Sequence, residues 1–272
     1  MKESFLFFIV NNGAISEEHL KEVEKKIGNA TADHLYLIID SPGGDPFSAV
    51  AIMNVLDSHF KNISAIIPAE AKSAATLMAL GTDEIYMCEK SSLGPLDLPI
   101  EHPNDGSRIS SLDVQNTITT MASLADSIAS DRYDFMRKRG GISKKDALRL
   151  SLETSNDFLR PIVEKVDPYH LQKAYRELKI GFWYAIDLLS KRMMKGHFDK
   201  AYATAKTLVN NFPAHEYSIF KNDAENMLNL VVKDLRGLSV WKNFIEAKYS
   251  KLNKKYTIEF GEIELPKKND KK

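Results

Sequence analysis

The chain lacks the residues and patterns that several protein classes need. Its single cysteine in 272 residues excludes a disulfide framework and a metal site built from several thiolates. The early apolar run at residues 5–10 is far shorter than the ~20 residues that cross a bilayer. Basic and acidic residues number 37 each, so charge does not point to nucleic acid or an anionic membrane as partner. We therefore expect a soluble, cytoplasmic protein with no signal peptide and no membrane span.

Motifs for cofactors and metals are also missing. No pair of histidines has the spacing of a helical zinc site, and no glycine-rich phosphate loop ends in Gly-Lys. We therefore expect no cofactor and no catalytic metal. An ATPase that unfolds a substrate for this protein would have to be a separate chain.

The first hundred residues alternate between two kinds of segment. Short apolar runs bounded by turn residues predict strands at residues 5–10, 35–40, 63–67 and 84–87. Amphipathic segments between them predict helices, the first of which begins after the N-cap residue Ser16. Apolar strands between such helices indicate an α/β fold with a largely parallel sheet covered on both faces.

From about residue 113 onward the apolar residues recur with helical spacing, which predicts a helical C-terminal half. Further helices are predicted at residues 161–178, 181–194 and 200–209. The C-terminal residues 248–272 carry eight lysines and four acids. We expect one domain over residues 1–240 and a basic, partly disordered extension over residues 241–272, with disorder from Pro266 onward.

Three segments carry candidate chemistry. Residues 40–45 read Asp-Ser-Pro-Gly-Gly-Asp between a strand and a helix, where glycine amides can face an oxyanion. Ser73 stands among small residues where a strand gives way to a helix, which suits an exposed nucleophile. Residues 91–97 end in a turn that presents Asp97. Each segment also has an ordinary interpretation: a Pro-Gly-Gly turn, a helix N-cap and a solvated aspartate.

In this order, Ser-Pro-Gly-Gly, Ala-Lys-Ser-Ala-Ala-Thr and Ser-Ser-Leu-Gly-Pro-Leu-Asp resemble the Clp protease and crotonase superfamily. The most similar group within it is the serine dehydrogenase proteinase family, a group of serine proteases. The resemblance implies a Clp/crotonase-like core of repeated strand-strand-helix units and a homo-oligomer. It further implies that Ser73 is the nucleophile, that the amides of Gly44 and Ala74 form the oxyanion hole, and that Asp97 orients the base.

The family's triad runs in the order Ser, Asp, His, so the base is expected far downstream of Ser73. The segment around His215 is similar to the family's Thr-His-Asp-Tyr-Pro-Ile segment, although Ala214, Glu216 and Ser218 depart from it. We therefore predict that His215 is the general base, because a serine hydroxyl needs an imidazole to take its proton.

Other bases stay open. His102 follows Asp97 closely, in a polar loop, and is the alternative base. A Ser/Lys dyad would need a lysine after the Gly-Pro segment, but none occurs between Lys90 and Lys138. Lys72 is adjacent to the serine and is expected to point elsewhere. The earlier histidines are expected at the surface: His19, His34 and His59.

The resulting hypothesis is a serine endopeptidase that acts on a peptide or protein substrate. The alternative is a catalytically inactive oligomeric scaffold or binding protein on the same fold. A crotonase-like enzyme acting on an acyl-thioester shares the oxyanion logic, but the acidic pair of a hydratase and an adenine-binding signature are missing.

Overall fold

A computed structural model describes residues 2–28, 30–102 and 105–264. The tail predicted from Pro266 onward lies outside the described residues. The chain divides into two compact units. Unit 1 comprises Met1–Leu98 and Lys179–Lys272, and unit 2 comprises Pro99–Leu178.

The elements follow one another in a mixed order. The strands are β1 (Lys2–Val10), β2 (His34–Asp40), β3 (Asn62–Ile67), β4 (Glu70–Ala71), β5 (Glu84–Met87), β6 (Ser92–Leu93), β7 (Pro99–Glu101), β8 (Arg108–Ser110), β9 (Ile219–Phe220), β10 (Val232–Asp234) and β11 (Tyr256–Glu264). The helices are α1 (Glu17–Ile27), α2 (Pro46–His59), α3 (Ala74–Leu80), α4 (Ser111–Lys138), α5 (Lys144–Val163), α6 (Pro168–Lys191), α7 (Phe198–Asn210), α8 (Lys221–Asn226) and α9 (Glu246–Lys251). The predicted α/β class with a mainly helical C-terminal half is confirmed.

The main sheet of unit 1 is nearly all parallel. Its strand order is β10-β5-β3-β2-β1-β11, and only β11 runs antiparallel to its neighbour. Strand β1 is buried from Glu3 to Val10, and Phe7 and Phe8 are completely buried. Burying each such ring stabilises the fold by about 1.5–3 kcal/mol. The four predicted strands of the first hundred residues are therefore the central strands of this sheet.

A second, smaller sheet in unit 1 positions the candidate site. Strand β6 pairs in parallel with β4 on one side and antiparallel with β9 on the other. Each of these strands spans two residues. Such short strands carry no periodic signal, so the sequence pattern does not predict them.

Residues 241–264, which the sequence assigned to an extension, are folded in the structure. Trp241 and Ile245 are buried in a cluster that also contains Phe5 and Phe7. Strand β11 pairs with the whole of β1, from Lys2 opposite Glu264 to Val10 opposite Tyr256. This segment therefore closes one edge of the main sheet.

The predicted start and break of the long helix near residues 161 and 180 are wrong. Pro161 lies in the last turn of α5, and α6 continues through Gly181 to Lys191. The glycine serves close packing, because a Cβ at position 181 would lie 2.6 Å from the carbonyl oxygen of Leu96.

Unit 2 consists of the β7–β8 hairpin, the helices α4 and α5, and the first part of α6. The hydroxyl of Ser110 caps α4 by accepting from the amides of Leu112 and Asp113. Residues of α4 and α5 line an open apolar cleft of about 470 Å³. No helix in the described part of the chain is long and apolar enough to cross a bilayer.

Candidate active site

The glycine loop between β2 and α2 lies against the segment that carries Ser73. Gly43 has a φ of +104°, and a Cβ there would lie 2.6 Å from the Lys72 carbonyl oxygen and 2.9 Å from Ser73 Cβ. The hydroxyl of Ser41 holds the loop, since it donates to Val10 O (3.0 Å) and accepts from the Gly43 amide (3.1 Å). Only glycine at position 43 permits this close approach.

Ser73 has an unusual backbone for a residue with a side chain. Its φ is +49° and its ψ is −120°, immediately before the first turn of α3. The ordinary N-cap interpretation fails, because its side chain makes no capping hydrogen bond. Strained backbone of this kind costs about 1–3 kcal/mol and persists where the surrounding structure imposes it. Ser73 therefore has a strained backbone that a simple helix cap does not explain.

Two backbone amides near Ser73 are available as donors. Among the described residues, neither the Gly44 amide nor the Ala74 amide has a backbone acceptor. The two amides belong to neighbouring segments, since a Cβ on Gly43 would lie 3.0 Å from Ala74 N. Free amides beside a serine are the donors that an oxyanion requires.

Asp97 and His215 are in contact although they are distant in sequence. His215 Nδ1 lies 3.0 Å from Asp97 Oδ1, within hydrogen-bonding distance. Asp97 is 2% exposed, and the side chain of His215 is 22% exposed. A buried carboxylate on Nδ1 orients the imidazole and leaves Nε2 to face another group.

The small sheet explains why the segments that carry Ser73, Asp97 and His215 reach the same edge. Ser73 closely follows β4, and Asp97 closely follows β6, which runs parallel to β4. His215 closely precedes β9, which runs antiparallel to β6. The ends of β4 and β6 and the beginning of β9 therefore lie along the same edge of this sheet.

The contact between the serine and the histidine is not made. Among the described residues, no hydrogen bond joins Ser73 Oγ to His215. Hydrogen bonds of this kind are often long in free enzymes and shorten when substrate binds. The roles of Ser73, Asp97, His215, Gly44 and Ala74 therefore stay predictions.

The alternative base, His102, belongs to unit 2. Its Nδ1 lies 3.2 Å from Asp105 Oδ1, and its backbone amide donates to Ser107 O (2.7 Å). These contacts hold His102 within the polar loop between β7 and β8.

Lys72, the lysine next to Ser73 that a Ser/Lys dyad could use, also has hydrogen-bond partners. Lys72 Nζ donates to Leu93 O, Tyr217 O and Ser218 Oγ at 3.0, 3.1 and 2.8 Å. Burial lowers the pKa of this ammonium group below its ordinary value of 10.5.

A second group of a serine, a histidine and a carboxylate, which we call the second Ser-His-carboxylate row, lies elsewhere in unit 1. It consists of Ser64, His34 and Glu3, and the sequence pattern did not predict it. His34 is partly buried, against the expectation of exposure, with Nε2 2.9 Å from Ser64 Oγ and Nδ1 2.9 Å from Glu3 Oε2. Ser64 is 3% exposed and donates its hydroxyl proton to Glu84 Oε1. That proton is not available to His34, so this row is a structural network.

Among residues 2–28, 30–102 and 105–264, no group of three or more His, Cys, Asp or Glu side chains is arranged to hold a metal ion.

Comparison with protein families bears on the same residues. Residues 6–121 match the model of the ClpP-like SDH-type serine proteinases. The predicted family is confirmed over these residues. The matched segment contains Gly44, Ser73, Ala74 and Asp97, and it ends before His215.

Two uncharacterized proteins of Methanocaldococcus jannaschii are similar to part of this chain. One is 38% identical over 84 residues, which is 30% of this chain and 29% of that protein. The other is 35% identical over 82 residues, which is 30% of this chain and 27% of that protein. The chain thus spans less than a third of the length of the curated relatives it matches.

Two solved structures of the 1510-N membrane-bound stomatin-specific protease are also similar. One is a mutant in complex with a substrate peptide, with 20% identity, a TM-score of 0.34, and coverage of 54% of this chain and 72% of that chain. The other mutant has 19% identity, a TM-score of 0.34, and coverage of 52% and 67%.

Proposed function

We propose that this chain is a serine endopeptidase that uses Ser73 as nucleophile, His215 as general base and Asp97 as the residue that orients the base. The single observation that carries the proposal is the contact of 3.0 Å between His215 Nδ1 and Asp97 Oδ1. This contact supports an oriented imidazole just before β9, and β9 starts at the same edge of the small sheet as the end of β4, which Ser73 follows. The match to the SDH-type proteinases supports the reaction class.

The reaction follows from these groups. His215 Nε2 takes the proton of Ser73 Oγ while Oγ attacks the peptide carbonyl. The amides of Gly44 and Ala74 donate to the oxyanion of the tetrahedral intermediate, and one such donor is worth a factor of about 10²–10³ in rate. His215 then returns the proton to the leaving amine, and water hydrolyses the acyl-enzyme by the same route.

Labelling with a fluorophosphonate probe tests the nucleophile. We expect the wild type to be labelled and Ser73→Ala to lose both label and peptide hydrolysis, with an unchanged circular dichroism spectrum. The matched control is Ser64→Ala, because Ser64 also lies beside a histidine but its hydroxyl is buried and donates to Glu84. Label that persists in Ser73→Ala disproves the assignment.

The base is tested by removing each histidine. We expect His215→Ala to lower kcat by roughly 10⁶-fold, because the nucleophile and the base of a triad act as a unit. His102→Ala should keep nearly full activity. The reverse outcome would assign the base to His102.

The second candidate function is an inactive oligomeric scaffold or binding protein. The missing hydrogen bond between Ser73 Oγ and His215 favours it. This function predicts that the folded wild-type protein is not labelled by the fluorophosphonate probe. It also predicts no activity on casein or on a mixed peptide library. Folding is checked by the circular dichroism spectrum, which should match that of the variants.

We also propose a cytoplasmic location and a homo-oligomer. The location rests on the single cysteine, which suits a reducing compartment. The oligomer rests on the family resemblance.

A further inference from the structure

Lys72 touches every segment of the candidate site. Its backbone amide donates to Ser41 O (3.0 Å), in the glycine loop, and it directly precedes Ser73. Its ammonium group donates to Leu93 O, in the strand before Asp97, and to two acceptors shortly after His215.

The ammonium group has a full set of acceptors. An ammonium has three donors, and the acceptors are Leu93 O, Tyr217 O and Ser218 Oγ. Among the described residues, the acceptors of the Lys72 ammonium group are carbonyl and hydroxyl oxygens, and no carboxylate is among them. A partly buried ammonium bound only by carbonyl and hydroxyl oxygens gains little as an ion pair, so its contribution is geometric.

The chain leaves room for this lysine. A Cβ on Gly94 would lie 2.9 Å from Lys72 Cδ and 3.2 Å from Ser73 N. Glycine at position 94 therefore lets the lysine stem pass beside the segment that leads to Asp97.

We propose that Lys72 is a positioning residue. It holds the segment that follows His215 against β6, the strand that precedes Asp97, and so sets the position of the His215 imidazole relative to Ser73. It is not the base, since its donors are directed at backbone and hydroxyl acceptors. This inference rests on the proposed triad.

The first test is kinetic. Lys72→Met keeps the apolar stem and removes the donors, and we expect kcat for peptide hydrolysis to fall about 10- to 100-fold, the scale expected when a catalytic group is misplaced by ~1 Å. KM should change by less than about two-fold, because no substrate contact is lost. Lys72→Arg should restore part of kcat, and Ser218→Ala should cause a smaller loss. Lys90→Met, an exposed lysine removed in the same way, should have no effect.

The second test does not depend on activity. Amide hydrogen exchange should become faster in residues 213–220 of Lys72→Met and stay unchanged in Lys90→Met. Unchanged exchange, or unchanged kcat with faster exchange, would overturn the positioning role. Lys72→Met as inactive as Ser73→Ala, together with an active His215→Ala, would assign the base to Lys72 instead. If the wild type is inactive, the proposed function fails, and the exchange result alone decides whether Lys72 holds the segment. If Lys72→Met does not fold, Ser218→Ala decides in both tests, with a smaller effect expected.

Discussion

Gly43 and Ser73 lie side by side in unit 1, although they are far apart in sequence. Both have a positive φ, of +104° and +49°. The sequence indicated a tight turn at the first and a helix start at the second. It did not indicate that the two backbones would touch, because their contact joins segments on different strands. The functional interpretation of both positions therefore depends on their packing.

Gly43→Ala should lower the free energy of unfolding more than the same substitution at a positive-φ glycine with open space around it. The new Cβ would meet Lys72 O at 2.6 Å, so both strain and steric overlap act, and we expect a loss of more than about 3 kcal/mol in the free energy of unfolding. Gly13→Ala is the control, because Gly13 has a φ of +116° and nothing within 4 Å of its Cβ position. It should lose about 1–2 kcal/mol in urea denaturation. Equal losses would contradict the close approach.

His34→Ala tests whether the second Ser-His-carboxylate row is structural. The change removes the imidazole beside the buried carboxylate of Glu3 and beside Ser64. Glu3 Oε2 is buried without a hydrogen bond among the described residues, so the His34 ring is the ion-pair partner that the change removes. Loss of a polar partner at a buried group costs about 1–3 kcal/mol, so stability should fall while fluorophosphonate labelling is unchanged. His59→Ala, at an exposed position of α2, should alter stability by less than about 0.5 kcal/mol. Loss of labelling in His34→Ala would show that the row has a functional role.

The sequence pattern did not predict strand β11, which completes one edge of the main sheet. Its first five residues, Tyr256 to Phe260, alternate between apolar and polar types, which is typical of an edge strand with one exposed face. The lysines on either side of it suggested a solvated extension. Its pairing with β1, which is buried from Glu3 to Val10, is decided by the sheet, which needs a partner along its last apolar strand.

Truncation tests the role of β11. A chain ending after Glu264 should keep the stability of the full chain, because the main sheet is complete. A chain ending after Lys255 should lose β11, expose the edge of β1, and accumulate as insoluble protein. Soluble yield and melting temperature are the measurements. A stable, soluble chain without β11 would contradict this.

The carboxylate of Glu262 makes the attachment of β11 dependent on pH. A hydrogen bond from Lys2, followed by bonds from the Thr31 amide and hydroxyl, lowers the pKa of Glu262 from 4.5 to about 2. Its contribution to stability is therefore complete above pH 4.5 and is lost as the pH falls through about 2. Glu262→Gln should be less stable than wild type at pH 7, and the difference should shrink toward pH 2 in urea denaturation. A difference that is constant across this range would contradict the linkage.

In the whole molecule, the candidate residues are divided unevenly between the two units. Ser73, Asp97, His215 and Lys72 belong to unit 1, whereas His102 belongs to unit 2. Unit 2 also exposes several large apolar side chains on α5, including Leu148 (53%), Leu152 (54%) and Phe158 (59%). Such exposure is typical of contact surfaces between chains.

The proposed homo-oligomer is tested on this surface of α5. Leu152→Glu should shift the sedimentation coefficient toward that of a monomer, because a charge at a contact between copies is costly. Arg149→Gln, an exposed polar change on the same helix, should leave the sedimentation coefficient unchanged. An identical monomeric coefficient for all three proteins would rule out the oligomer at the concentration used.

The sequence by itself determined the α/β class, the central strands and the three short segments that carry the candidate chemistry. It did so because strand burial, helix periodicity and turn residues are local properties of the chain. Only the tertiary structure decided that His215 meets Asp97, that Lys72 binds the segments of both, and that β11 completes the main sheet. These are contacts between residues far apart in sequence, and they depend on how the strands pair, which local patterns do not encode.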